Sequence, residues 1–526
     1  MNALEFQFQL QKSVAFGACL GAALLVGLLL VGAPFLLVLA LFGVLWMLTL
    51  PYHATLAVYL AIATVNSALI IPGIPGRPFV WELAAGLGWS GAIIMLALRR
   101  QAAGSYSRFR DNWIAFLGIA GYCAVLVFLM YYRGVGIRAL GSDATSGQMG
   151  GRLYVQQIAC AIFPLLLILN PLSERTLVKL FLIQCALTST YLLSDFVFAY
   201  GRGPMFDLLL FLELPVDGVN FESQNQNFGI RRFQSLFAFT MGMFSILWVK
   251  RPLSDYTGRA GFWMWPLTLG LFAVGMLSGH RHLLYLSSVM FLFNAWSQRF
   301  FTIQRLIAIG VVGAITYLML FAYARDLPQS VQRAISVVPG IEVDRIAYED
   351  GLATMEGRRS LRRAGFEMAG EYRWIGRGYG KMTELDKDRY RFDMTYLSAD
   401  NGIFYNGTVG LLVNTGLPGT VFMFMVLWGG SVQAWRIMRH VRGHGAEDEF
   451  SRFASLQAAW WAANVITFVF LHGDAEYALR WFAMPTGIMI ACNWHFSRRK
   501  DASVTAEPVV ADRRPAFVFR EPRQAY

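Results

Sequence analysis

The chain has 526 residues, of which 56% are hydrophobic and 15% charged, with a formal net charge of +12 at pH 7. Soluble globular proteins carry nearer ~25% charged residues, so this composition, with a mean hydropathy of +0.46, excludes an ordinary soluble domain and predicts an all-α, polytopic membrane helix bundle. The basic surplus is expected on cytoplasmic loops, so the lipid bilayer is the expected partner and nucleic acid is not.

In chain order, about fourteen apolar runs are each long enough to cross roughly 30 Å of hydrocarbon. They cover 14–31, 34–50, 52–71, 79–98, 112–132, 153–170, 177–200, 232–249, 261–278, 282–298, 302–324, 402–435, 453–471 and 479–496. In lipid every backbone polar group needs an internal partner, so these runs are expected to be helices. The first run is followed at once by a second and reads as a span, not as a cleavable leader. The run 402–435 is too long for one simple crossing, and Gly416, Pro418 and Gly419 interrupt it, so it is expected to be kinked or re-entrant. The defensible range is twelve to fourteen helices. Cys19, Cys123, Cys160, Cys185 and Cys492 all fall inside apolar runs, where a free cysteine acts as a small apolar side chain.

The connecting loops alternate in character. One set carries Arg99, Arg100, Arg108 and Arg110, then Arg175 and Lys179, then Lys250, Arg251 and Arg259, then Arg299 and Arg305, then Arg436, Arg439, Arg442 and Arg452. The positive-inside rule puts that set, and both termini, in the cytoplasm. The other side carries the longer connections 133–152, 200–231, 325–401 and 472–478. The expected organisation is a transmembrane bundle over 1–324, an outer loop over 325–401, C-terminal transmembrane helices over 402–496 and a disordered cytoplasmic tail over 497–526.

Ionisable groups near a membrane are expensive and are functional hypotheses by default. Here they favour the outer side: Glu82 and Asp195 near outer helix ends, Arg231 and Arg232 at a re-entry point, His280, Arg281 and His282 in one tight turn, and His472, Asp474, Glu476 and Arg480 in another. Helix-end anchoring explains a single such residue as well as function does. A transporter of lipid-linked sugar would place polar groups near the midplane, whereas an enzyme using a lipid-linked substrate needs them at one interface. A non-catalytic scaffold leaves the outer arginines unexplained.

In the 325–401 loop, Leu361, Ala364, Met368 and Tyr372 share one helical face, and Arg358, Arg359, Arg362 and Arg363 surround it. This is the make-up of an interfacial amphipathic helix, suited to anionic headgroups or to an anionic substrate. Gly376-Arg377-Gly378-Tyr379-Gly380 follows, and its glycines suggest a tight turn or a close backbone approach.

At this point the order of features resembles the O-antigen ligase and polymerase family of bacterial cell-surface polysaccharide enzymes. Four parts carry the resemblance over about 220–435: Ile230-Arg231-Arg232-Phe233 before a span, the Ser278-Gly279-His280-Arg281 turn, the Arg-rich helix with its glycine turn, and Asp400-Asn401 followed by Gly416-Leu417-Pro418-Gly419. Ligases of the family commonly present His-Asn where this chain has Asp400-Asn401, which leaves polymerases and transfer to other acceptors open.

The resemblance implies a multi-pass protein of the bacterial cytoplasmic membrane. It implies transfer of a glycan from an undecaprenyl-diphosphate-linked donor to a hydroxyl of a glycan or lipid-linked acceptor. It also implies an inverting reaction without metal or other cofactor. Such a reaction needs cations beside the departing diphosphate, and arginine suits phosphate oxygens. Arg281 is the first candidate and Arg231 or Arg232 the second. The acceptor proton needs a base. Asp400 holds the family position, with Asp474, Glu476 and His472 as rivals. His280, His282, Arg358, Arg359, Arg377, Asn401 and Arg480 are expected to bind substrate with them. Two histidines beside Arg281 without a carboxylate do not make a zinc site, and the phosphate-binding Gly-Lys-Ser/Thr loop of nucleotide hydrolases is absent.

Overall fold

The computed structural model describes residues 53–63, 68–69, 79–97, 104–133, 150–190, 235–258, 261–379 and 402–505, with isolated positions at 40, 41, 43, 44, 102, 192, 212, 213 and 233. The expected spans 14–31 and 34–50 lie almost wholly outside the described residues, as do most of 191–234 and the tail beyond 505.

The described residues are predominantly helical. In chain order come α1 (His53–Ala63), the short strand β1 (Ala68–Leu69), α2 (Val80–Ala97), α3 (Ser105–Asp111) and α4 (Trp113–Tyr132). Then follow α5 (Gly150–Cys160), α6 (Ile162–Leu169), α7 (Glu174–Leu187), the strand β2 (Leu212–Glu213), α8 (Ser235–Lys250), α9 (Gly261–Met276), α10 (Arg281–Ser297) and α11 (Ile303–Tyr323). The loop 325–401 contributes α12 (Gln329–Ile335) and α13 (Arg345–Tyr372). Last come α14 (Gly407–His444), α15 (Glu449–Ile466) and α16 (Ala478–Thr505). Among the described residues, five stretches are long and apolar enough to cross a membrane: α2, α4, α11 with its extension to Asp326, α14, and α15 with its extension to Leu471.

Local chemistry explains several boundaries. Ser173, Thr302, Asn406 and Asp448 each cap a helix by accepting a backbone N–H three residues on, which satisfies a donor the helix cannot. α14 is interrupted at Gly416, whose φ of +68° lies in the left-handed region. Pro418 then supplies no N–H to Asn414. The long run 402–435 is therefore kinked, where its Gly and Pro residues expect it.

Four departures from the sequence reading have physical causes. The run 52–71 is not one helix: α1 ends at Ala63, and Ala68–Leu69 pairs antiparallel with Leu212–Glu213. Ile70 and Ile71 favour extended backbone, and Pro72 and Pro75 oppose helix beyond. The run 153–170 divides at Ala161 into α5 and α6; Pro164 has no N–H for the carbonyl of Cys160. The Arg-rich helix is longer than its motif, 28 residues, and its apolar face packs on protein: Leu361 and Ala364 are buried, with Met368 and Tyr372 against them, in a cluster with Phe404, Val409 and Val413. Finally α16 continues past 496 to Thr505, because Arg499 is held by Glu174 and Asp448.

α14 is the central helix and touches α4, α13, α15 and α16. α4 can lie close because Gly118 faces the backbone of α14; a Cβ there would come 2.8 Å from the Phe422 carbonyl. Small residues permit such contacts between membrane-type helices. By contrast α11 buries none of its residues.

The bundle has two chemically different ends. At one, Arg442 donates to the Trp296 carbonyl, Arg299 to Gly443, Arg452 to Val249, and Arg108 to Ile168. The basic loops thus gather together. The other end, here the loop end, carries α12, α13 and the turns at 278–281 and 472–477.

Candidate functional site

The site begins with the Ser278–Arg281 turn. Gly279, at φ +68°, reverses the chain between α9 and α10, so Arg281 leads α10 from the loop end. Its Nε donates to the Arg333 carbonyl at 3.2 Å and its Nη2 to Ser336 Oγ at 3.1 Å. Gly351 of α13 makes room for it: a Cβ there would lie 1.8 Å from Arg281 Nη2. Part of the guanidinium is therefore occupied in holding α12.

Arg333 clamps the same corner. It pairs through Nε with Asp350, and donates through Nη1 to the Gly279 carbonyl at 2.7 Å and through Nη2 to Thr354 Oγ1 at 3.0 Å. Both partners of the ion pair are buried. Removing one partner of such a pair typically costs about 3–5 kcal/mol, since the other is left charged and alone.

Arg358 follows two turns later on α13. It stands 5.5 Å from the Tyr405 ring centroid. Among the described residues no hydrogen-bond or ion-pair partner reaches its guanidinium. Burial holds its pKa below the usual value, and Arg333 and Arg362 push the same way. Tyr405 itself sits at φ +47°, a left-handed conformation that a side chain occupies only when its surroundings enforce it. It is caught between Arg358 and the His472 ring, stacked at 5.3 Å.

The 472–477 turn is aimed by the end of α15, which widens into a π turn over Thr467–Leu471. The His472 amide donates to the Thr467 carbonyl at 2.8 Å, the spacing of a π bulge, a feature frequent at functional sites. Phe468 wedges the turn: a Cβ at Gly407 or at Gly473 would come 2.5 Å from its ring. His472 also meets the His282 ring at 6.1 Å. Burial, with Arg358, His282 and His280, lowers the His472 pKa to about 3, so its ring is neutral at pH 7.

Two acids complete the turn. Burial raises Asp474 to about 6, against the attraction of Arg358. Burial, then Asp474, raises Glu476 to about 7. Asp474 Oδ1, His472 Nδ1 and Arg362 Nε are buried without a hydrogen-bond partner among the described residues. Unmet polar atoms of this kind are few in native proteins, and here three gather around one turn. Tyr379 fixes that turn from below. Its hydroxyl donates to the Ala475 carbonyl at 3.0 Å and lies 3.2 Å from the Tyr122 hydroxyl, and its amide donates to the Tyr154 hydroxyl at 2.6 Å.

The expected residues therefore divide. Arg281, His280, His282, Arg358, Asp474 and Glu476 come together with His472. Arg480 faces another wall, its guanidinium 4.9 Å from the Trp81 ring. Arg377 lies on the kink of α14, where its amide donates to the Val413 carbonyl at 2.8 Å and the Gly378 amide to Asn414. A Cβ at Gly376 would meet Asn414 and Thr415 backbone at 2.3–2.5 Å, so this turn is a close backbone approach. Arg359 is exposed. Arg231, Arg232, Asp400 and Asn401 lie outside the described residues. Sequence reasoning missed Arg333, Asp350, Tyr405 and Tyr379. Only Arg333 offered a signal, a cation between Val331 and Ile335 on one short amphipathic turn.

Four arginines (281, 333, 358 and 362) thus share a half-buried corner with Asp350 and Asp474. The surplus is positive, and Arg358 is the member without a described polar partner. Such a corner can receive an anion, with a raised carboxyl beside it able to take up a proton near neutral pH. Among the described residues no three His, Cys, Asp or Glu side chains form a metal-holding group. In comparisons with known proteins, the chain matches no family model and no curated protein.

Proposed function

We propose that this chain is an integral membrane glycan transferase of the O-antigen ligase and polymerase type. In this reading about twelve to fourteen helices cross a bacterial cytoplasmic membrane, both termini are cytoplasmic, and the loop end faces outward. The apolar helices and the gathering of basic loops at one end support the placement. The donor is a glycan on a lipid diphosphate and the acceptor is a sugar hydroxyl.

One observation carries the reading: a half-buried arginine, Arg358, without a polar partner among the described residues, next to three further arginines and a buried carboxyl. In the reaction the acceptor oxygen bonds to the anomeric carbon, and the bond from that carbon to the diphosphate oxygen breaks. The electron pair leaves with the diphosphate. Arg358, backed by Arg281, stabilises the developing charge, and a fixed cation does this without reorganising. The hydroxyl proton passes to a carboxylate; Asp474 is the candidate within the described residues, and Asp400, outside them, is the alternative the sequence offers. Losing one such electrostatic contact costs on the order of 10²–10³ in rate.

The test is complementation in the native host at matched membrane abundance. Arg358→Ala and Arg281→Ala are expected to abolish surface polymer and to accumulate lipid-linked donor in the outer leaflet. Donor held in the inner leaflet would point to transport instead. Unchanged surface glycan in both variants would end the transferase reading.

A further inference from the structure

A second feature of the loop end lies away from the arginine corner. A cleft of about 320 Å³ opens between α4, the Trp374–Gly376 turn and the kink of α14. Ala124, Phe128, Ile375, Pro418 and Phe422 line it. On α4 the lining runs from Gly121 to Leu129, about 12 Å of helix axis at roughly 1.5 Å per residue. It is a slot that follows the helix inward from the loop end.

Its rim is cationic. Arg133, one turn beyond Leu129, donates to the Gly376 and Ile375 carbonyls at 2.9 and 3.1 Å. Arg373 and Arg377 flank the lining stretch on either side, and Arg373 lies 5.6 Å from the Trp374 ring. Tyr372, next to this rim, feels Arg133 and Arg377 as well as its neighbour Glu371, so among the described residues there the cations outnumber the carboxylate. An apolar slot along a membrane-length helix, capped by cations at the interface, has the polarity profile of an anionic amphiphile. The rim is separate from the arginine corner: Arg358 stands at the middle of α13 and Arg373, fifteen residues on, caps its C-terminus, about 22 Å along a helix.

We propose that this cleft binds an anionic phospholipid of the surrounding bilayer, with one acyl chain in the slot and the phosphate at the Arg133, Arg373 and Arg377 rim. The inference rests on the membrane placement above and not on glycan transfer. The bound lipid would hold the glycine turn against the α14 kink.

The test uses the full chain, purified in neutral detergent and supplied with phosphatidylglycerol or phosphatidylcholine. Lipid retention is read by native mass spectrometry and stability by thermal midpoint. Phosphatidylglycerol is expected to be retained at least tenfold better and to raise the midpoint by several degrees. Arg373→Glu with Arg377→Glu should remove that preference, and Ala124→Phe should remove retention by filling the slot. Ala120→Phe, on an exposed position of the same helix, should do neither. A midpoint in detergent alone equal to that of the unmodified chain shows that a variant folds. Equal retention of the two lipids, or equal loss in Ala124→Phe and Ala120→Phe, would overturn the proposal. So would displacement of the bound lipid by a polyprenyl phosphate at concentrations where phosphatidylglycerol does not compete.

Discussion

Asp474 is a carboxyl that folding moves to about 6, and the direction of that shift has two consequences. A raised pKa means that the folded chain binds the proton more readily than the unfolded chain between roughly pH 4 and 6. The group thus favours the fold at low pH and loses that contribution as pH rises through about 6. A proton acceptor must be ionised, so the proposed transfer is expected to fall as the pH drops below about 6. Asp474→Asn is expected to lower transfer by about 10²–10⁴. It should also stabilise the chain at pH 8 by ~1–3 kcal/mol, because no charge is then buried, and have little effect at about pH 3, below the unfolded value. Thermal midpoints at the two pH values, set beside polymer output, check both parts. Lost output without the high-pH gain would mark Asp474 as structural. His472 works the other way: its lowered pKa makes its contribution fully present above the unfolded value and lost as pH falls toward about 3.

α12 and α13 form a lid corner whose geometry rests on a few contacts. Gly351 and Arg281 are a pair: a Cβ 1.8 Å from Nη2 must displace the guanidinium. Gly351→Ala is therefore expected to lower transfer about as much as Arg281→Ala, at unchanged membrane abundance, which immunoblotting and polymer analysis would check. Asp350→Asn leaves Arg333 buried and uncompensated, and is expected to destabilise the corner by about 3–5 kcal/mol. Limited proteolysis between α12 and α13 reads this directly. Much of this element level was legible in sequence. Leu361, Ala364, Met368 and Tyr372 share a face because helical spacing puts them there, and Gly416 with Pro418 marks the kink because only such residues relieve it. The Arg333–Asp350 pair was not legible. Its members are seventeen residues apart across a turn, and no periodicity links them. The break before Pro164 was visible as a residue but not as an outcome, since apolar content alone does not separate one helix from two.

At the scale of the molecule, the two ends are held by independent networks. Arg499 ties α16 to α7 and α15 through Glu174 and Asp448. At the loop end, Tyr379 joins α4, α5 and the acidic turn through one hydroxyl and one amide. Besides the Arg358–Tyr405–His472 contact, the segment after α13 therefore braces the turn that carries Asp474 through the Tyr379 phenol. A buried hydrogen bond contributes about 0.5–1.5 kcal/mol net, so Tyr379→Phe keeps the ring contact with Tyr154 and removes the hydroxyl's bonds to Ala475 and Tyr122. It is expected to raise amide exchange in residues 472–477 by roughly fivefold and to displace the acid limb of transfer, because the turn no longer holds Asp474 at a fixed depth. Arg499→Ala should lower the thermal midpoint while leaving both readouts in place. Exchange mass spectrometry on the two variants separates the cases. If Arg499→Ala loosened 472–477 as much as Tyr379→Phe, the ends would be one cooperative unit, and the phenol would be ordinary packing.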